Sequence, residues 1–176
     1  MIHIILYRPE KPQNTGNIMR TCVASNAKLH IIGPITFSLN EKDLKRVGLD
    51  YIENLKLTYY DSYEQFENEF VCDNIYYISR YGDLVYSSPD YSDNSHDIAL
   101  MFGRESTGIP HDILRANRDR VLRIPMVPEA RSLNLSNCVA LVLYEVLRQR
   151  KFPELATSEC IKGENFLDNE LKKNND

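Results

Sequence analysis

Three segments of this 176-residue chain carry polar side chains and glycines that packing alone does not call for. The first is Pro12-Gln-Asn-Thr-Gly-Asn-Ile-Met-Arg20, which sets Asn14, Thr15 and Gly16 where a helix would start. Free backbone N–H groups at a helix start favour an anion, and Arg20, one turn further on, could add a bidentate phosphate clamp. An ordinary capped helix with a surface arginine is the equal alternative. The second, Met101-Phe-Gly-Arg-Glu-Ser-Thr-Gly-Ile-Pro110, puts two glycines after an apolar run, so a ligand can approach the backbone closely. The third runs from Ile124 to Asn137. Pro125 and Pro128 stiffen it, and Ser132, Asn134, Ser136 and Asn137 lead into a long apolar stretch.

Familiar nucleotide motifs do not explain these loops. Gly103-Arg-Glu-Ser-Thr-Gly108 has the look of a phosphate loop, but Ile109-Pro110 stands where such a loop needs Lys and Ser/Thr, which excludes an ATPase or GTPase. No G-x-G-x-x-G follows a strand, so a dinucleotide site is unsupported. Cys22, Cys72, Cys138 and Cys160 are scattered with no C-x-x-C pair, and read as reduced and buried. His3, His30, His96 and His111 are spread out and read as structural; no metal is expected. Asn134-Leu-Ser136 matches a glycosylation acceptor, but without a secretion signal the match carries no weight.

The elements that must hold the loops alternate. Ile2–Tyr7, Leu29–Ile32, Leu57–Tyr60, Ile75–Ser79, Ile98–Phe102 and Val121–Ile124 predict strands. Asn14–Ser25, Glu41–Val47 behind an Asn40 cap, Tyr63–Phe70 behind the capping box Ser62-x-x-Gln65, Pro110–Ala116 and Ser136–Lys151 predict helices. Strands alternating with helices imply parallel pairing in an α/β sandwich, with ligands beyond the strand ends. In the last helix, Cys138 to Leu147 holds one charge, Glu145, and apolar side chains all around. A helix packed only on its own sheet keeps a polar stripe, so a second copy of the chain is expected against it; a central helix buried within one chain is the alternative.

Length and composition fit one globular domain, with 43% hydrophobic and 26% charged residues. The expected division is a domain over 1–153 and a polar, acidic, poorly ordered tail over 154–176, read as a frayed appendage in preference to a short amphipathic turn around Ile161–Leu171. The apolar run in the last helix is half a membrane span, and Met1–Tyr7 lacks the basic flank of a signal peptide, so a cytoplasmic protein off the membrane is expected. The net charge is −4, yet residues 1–40 hold four bases against one acid and residues 102–151 nine against five. A basic face can be built from those blocks, so charge permits an RNA partner without arguing for one. Tyr59-Tyr60 and Tyr76-Tyr77 read as strand-core packing in preference to base stacking.

Taken together, N-T-G-N-I-x-R, then F-G-x-E-x-x-G-I-P, then R-I-P-M-V-P-x-x-R-S-x-N-L-S-N resemble the SPOUT class of RNA ribose methyltransferases over Ile2 to about Pro153. Within it the chain is most similar to the branch that 2′-O-methylates the tRNA wobble nucleotide, the TrmL branch. The resemblance implies a mostly parallel sheet with a C-terminal deep trefoil knot, an obligate homodimer, and S-adenosyl-L-methionine as cofactor, leaving as S-adenosyl-L-homocysteine. By position it implies cofactor contacts at Ile78, Gly103, Ile124, Ser132 and Leu133, and a catalytic Arg20 reaching the site of the other subunit. Asn14, Glu105, Asn134 and Asn137 match further motif positions for substrate or site architecture. Arg104 stands where relatives often carry proline or lysine, and Cys138 where alanine is usual.

The implied substrate is the wobble cytidine or modified uridine in the anticodon stem-loop of tRNA, foremost the leucine isoacceptors. A different RNA such as ribosomal RNA, or a non-catalytic RNA-binding role on the same fold, are the alternatives. A small-molecule methyltransferase ranks below them. The chemistry suits the residues. A sulfonium supplies an activated methyl group, so the protein mainly positions the nucleophile. A guanidinium cannot take the proton of a 2′-OH, so the arginine's implied role is to hold a neighbouring phosphate and stabilise the developing alkoxide. Phosphate or water takes the proton.

Overall fold

The computed structural model describes residues 1–39, 54–163 and 166–167. Seven parallel strands form one sheet: β1 (Ile2–Tyr7), β2 (Lys28–Ile32), β3 (Leu57–Tyr60), β4 (Ile75–Ile78), β5 (Leu84–Val85), β6 (Ile98–Phe102) and β7 (Val121–Arg123). Their spatial order is β3-β2-β1-β6-β4-β7-β5. All of β1 and β6 is buried, as continuous apolar runs require at the centre of a parallel sheet covered on both faces. The strand pleat divides the side chains. Ile4, Leu6, Leu100 and Phe102 face a core shared with helices α1 (Pro12–Ala24) and α4 (Leu135–Gln149). Ile5, Tyr7, Ala99 and Met101 face a second core with Phe66 of α2 (Tyr63–Glu69) and Ile113 and Leu114 of α3 (His111–Ala116).

The predicted strands β1, β3 and β6 have the observed bounds; β2 starts one residue earlier, and β4 and β7 each end one earlier. Strand β5 was not predicted: two half-exposed residues at the sheet edge leave no apolar run to detect. Helix α1 begins at Pro12 behind Lys11, so Asn14 sits inside the first turn and is no cap. Pro110 precedes α3 as its cap residue, and Asn134 caps α4. Ser62 accepts from the Gln65 N–H as the capping box requires, while the Gln65 side chain reaches the Asp61 N–H (2.7 Å). The predicted helix at Glu41–Val47 lies outside the described residues, as do residues 164–165 and 168–176 of the tail. Around the expected domain end, Phe152 and Leu155 pack on the core, and Asn26 donates to Glu154 (3.1 Å).

Strand β7 pairs between β4 and β5, which are consecutive in the chain, so a later segment enters between two earlier ones. The return from β5 to β6 is then fastened to the end of α4. Buried Arg150 donates to the carbonyls of Tyr91 (3.0 Å), Asp93 (2.8 Å) and His96 (2.8 Å), and Gln149 accepts from the Tyr91 N–H.

His3 and His30, expected to be isolated, meet on adjacent strands. His3 Nδ1 and His30 Nε2 are 2.9 Å apart, His3 Nε2 is 3.1 Å from Asp97, and His30 Nδ1 is 3.0 Å from the Tyr60 hydroxyl. A hydrogen bond between two ring nitrogens needs one of them bare, and burial pushes the His30 pKa down to about 3 and that of His3 down as well. Both rings fold neutral, whereas an unfolded histidine takes up a proton below about pH 6.5. The unfolded chain therefore binds more protons as pH falls through that value. Stability is expected to be full above pH 7 and to decline as pH drops from 7 to 5, read by urea denaturation at each pH. His30→Gln should flatten that slope.

Candidate active site

At the carboxyl ends of β4, β6 and β7 the loops enclose a cavity of about 800 Å³. Ligand sites span roughly 300–1,000 Å³ and lie at this end of parallel sheets. Of the residues singled out by sequence, Asn14, Ile78, Gly103, Glu105, Ile124, Ser132, Leu133 and Asn134 all line this one cavity. Ile78 and Ile124 are half-buried and buried apolar walls; Ser132 and Leu133 stand exposed at the rim. Arg20 and Asn137 do not line it; both are exposed, on α1 and α4.

Two carboxylates cross between the first and second loops. The Glu105 carboxylate accepts from the backbone N–H of Glu10 (2.8 Å) and Lys11 (3.2 Å) and from the Asn14 amide (2.9 Å). Glu10 reciprocates, accepting from the Ser106 N–H (2.9 Å), the Ser106 hydroxyl (2.8 Å) and Arg104 (3.0 Å). Hydrogen bonds from Ser106, then the nearby Arg104 guanidinium, hold the Glu10 carboxyl below the usual range. The third loop joins through amides: Asn134 donates to Asn14 Oδ1 (3.0 Å) and accepts from the Ser136 N–H (2.9 Å) and hydroxyl (2.7 Å), capping α4. One chain of contacts, Glu105–Asn14–Asn134–Ser136, thus laces all three loops.

This arrangement shows what the backbone just ahead of α1 binds within the chain. The N–H groups ahead of α1 are taken by Glu105, so they hold one of the chain's own carboxylates in place of an external phosphate. Gly103 is required by close approach: a Cβ there would fall 2.0 Å from the Gly108 carbonyl carbon. Lys11, Ser79, Arg80, Tyr81, Met126, Arg131 and Cys138 also line the cavity but were not picked as site residues. The only sequence signal for Arg80 and Tyr81 is their place after a strand, and Ser79 falls at the end of the predicted strand itself. Arg104 Nε is buried without a hydrogen-bond partner, on a residue of the cavity wall. Burial raises the Cys138 thiol pKa, against a role as a nucleophile. Tyr60 and Tyr77 are buried in the second core and Tyr76 packs edge-on against Tyr91, whereas Tyr59 is exposed.

Residues 1–144 match the model of the SpoU rRNA methylase family. The chain belongs to that family. Among SpoU-family relatives, an Escherichia coli K12 protein named tRNA (cytidine(34)-2′-O)-methyltransferase is 42% identical over 154 residues, covering 87% of this chain and 96% of the relative. A Listeria innocua protein, provisionally given the same name, is 50% identical over 153 residues, covering 87% and 90%. A solved structure described as giving insight into 2′-OH methylation of C/U34 on tRNA aligns with TM-score 0.78 at 37% identity, covering 86% of this chain and 97% of that one. The fold also matches a SpoU methyltransferase from Streptomyces viridochromogenes in complex with AdoMet (TM-score 0.72, 24% identity, 85% and 60% covered).

Removing the central acceptor should loosen the whole lacing. Glu105→Ala strands two backbone N–H groups and the Asn14 amide, and is expected to cost about 1–3 kcal/mol in urea denaturation. Glu105→Gln keeps one acceptor oxygen and should recover part of that loss.

Proposed function

We propose that this SpoU-family chain is an S-adenosylmethionine-dependent methyltransferase that 2′-O-methylates the ribose of nucleotide 34, the wobble position, in the tRNA anticodon stem-loop. The observation that carries this is the convergence of all three motif loops on one cavity, in a chain similar over most of its length to relatives named for that activity. The cavity fits the cofactor. Ile78 and Ile124 offer apolar walls for a purine, Gly103 leaves backbone bare beside it, and the unpartnered Arg104 Nε is a donor suited to a carboxylate. When bound, that cofactor supplies an activated methyl group on its sulfonium. On this reading Ile78, Gly103, Ile124, Ser132 and Leu133 hold it. Asn14, Glu105 and Asn134 keep the loops that form its walls in register. No residue cluster suited to a metal occurs among the described residues, and the proposed chemistry calls for none. The tRNA-Leu isoacceptors are the proposed substrates, and the cytoplasm, where tRNA is matured, the proposed location; no helix of the described residues is long and apolar enough to cross a membrane.

The placement of Arg20 supports a shared active site. It is exposed on α1 and does not line the cavity of its own chain. Helices α1 and α4 pack on the same sheet face, and α4 leaves Asn137, Leu141 and Tyr144 exposed along one stripe. A homodimer burying that stripe would carry Arg20 to the partner's cavity, where its guanidinium holds the phosphate beside the target ribose and stabilises the developing alkoxide. Phosphate or water takes the proton. The insertion of β7 between β4 and β5, with the β5-to-β6 return fastened to the end of α4 by Arg150, supports a trefoil-knotted C-terminal part.

Incubation with methyl-labelled S-adenosylmethionine and tRNA lacking the wobble methylation, followed by nuclease mapping, should place label at the ribose of nucleotide 34. Arg20→Ala should lower kcat at least about 100-fold, the scale of losing one charged transition-state donor. Cofactor affinity by calorimetry should be unchanged. Label elsewhere in RNA would shift the substrate; no label with no cofactor binding would leave a non-catalytic RNA-binding protein. Leu141→Asp should yield monomers in sedimentation and abolish transfer.

A further inference from the structure

The turn between β4 and β5 places an aromatic ring at the rim of the cavity that no part of the cofactor site accounts for. Tyr81 is 61% exposed, an unusual condition for a large ring beside a binding pocket. Its position is held. The Tyr81 N–H donates to Ser79 Oγ (3.2 Å), and the Gly82 N–H to the Ser79 carbonyl (3.3 Å). Gly82 is pressed so closely on β7 that a Cβ would lie 2.6 Å from the Leu122 carbonyl carbon. The ring meets His111 edge-to-face at 5.2 Å and 85°, and the Arg80 guanidinium lies 5.9 Å from its centroid. Lys11, Arg80 and Arg131, all exposed and on the cavity lining, outnumber the one acid there, Glu105, and Arg104 is paired with Glu10.

An exposed, braced aromatic ring among cations beside a site for a nucleic-acid substrate is the arrangement on which bases stack, the cations meeting the backbone and the ring a base. We propose that Tyr81, braced by His111, is a substrate-positioning residue that stacks on a base of the RNA, so that the ribose next to it is presented at the cavity. The inference rests on the RNA methyltransferase reading above and deepens it. Tyr59, exposed on β3, does not line the cavity. Stacking is tolerant of base identity, so Tyr81 contributes affinity and orientation more than sequence choice.

The test uses the full chain, an unmodified tRNA transcript and labelled S-adenosylmethionine. Tyr81→Ala should raise both the tRNA Kd, measured by fluorescence anisotropy, and the tRNA KM by roughly 5- to 100-fold, the range for one lost stacking contact. Its kcat should stay within about twofold of wild type and its cofactor Kd unchanged, because stacking is ground-state binding remote from the methyl group. Tyr81→Phe, which keeps the ring, should behave as wild type. The slope of log affinity against log salt should be unaltered in Tyr81→Ala, whereas Arg80→Gln should reduce it by about one, as loss of a phosphate contact does. Unchanged tRNA Kd and KM in Tyr81→Ala would overturn the proposal, as would weakened cofactor binding in its place, or failure of Tyr81→Phe to restore affinity. Weakened tRNA binding by Tyr81→Ala in a wild type that transfers no methyl group would uphold the stacking and sink the methyltransferase reading. A wild type that binds no tRNA would sink both.

Discussion

The cavity exists because two carboxylates trade places. Glu105 leaves its own loop to cap the backbone ahead of α1, and Glu10 leaves that segment to hold the turn around Ser106. The segment ahead of α1 and the turn around Ser106 are each held by charged hydrogen bonds to a carboxylate of the other, stronger than neutral ones. The exchange also satisfies two backbone N–H groups just ahead of α1, those of Glu10 and Lys11, from within the chain. Asn14 carries the linkage onward: its amide serves Glu105 and its carbonyl serves Asn134, which caps the last helix. A small polar side chain with both a donor and an acceptor is what that corner needs, and aspartate or leucine could not fill it.

The same logic explains which features were legible in the residues. Strands β1, β3 and β6 could be bounded to the residue because their β-branched and aromatic runs end at polar or glycine positions. Strand β5 could not, since Leu84 and Val85 are paired only because β7 arrives beside them, a long-range event without a local signature. The start of α1 was misplaced for a related reason: Asn14 has the chemistry of a cap, but its side chain is committed to residues 91 and 120 positions away. Tertiary partners overrode a local preference. His3 and His30 are 27 residues apart and looked solitary, yet parallel register sets them in hydrogen-bonding contact.

The site residues were legible as motifs and not as a geometry. That Asn14, Gly103 and Asn134 would share a wall follows from where β1, β6 and β7 end in the sheet, which the three segments do not encode individually. Arg80 and Tyr81 were missed because a single exposed turn has no pattern; only the closed cavity shows them at its rim. Arg20 differs again. It sits in the first motif but does not line the cavity that motif helps to build, which is the arrangement the proposed second copy against α1 and α4 would use.

A shared active site can be tested by complementation. Arg20→Ala subunits, with an intact cavity, would be mixed after unfolding and refolding with Ile78→Trp subunits, whose cavity is filled but whose arginine is intact. Each parent should be inactive alone. In a mixed dimer, one site combines the intact cavity of one subunit with the arginine of the other, and a one-to-one mixture should recover roughly a quarter of wild-type transfer to the wobble ribose. No recovery, with mixed dimers present in native mass spectrometry, would contradict an arginine acting across the interface.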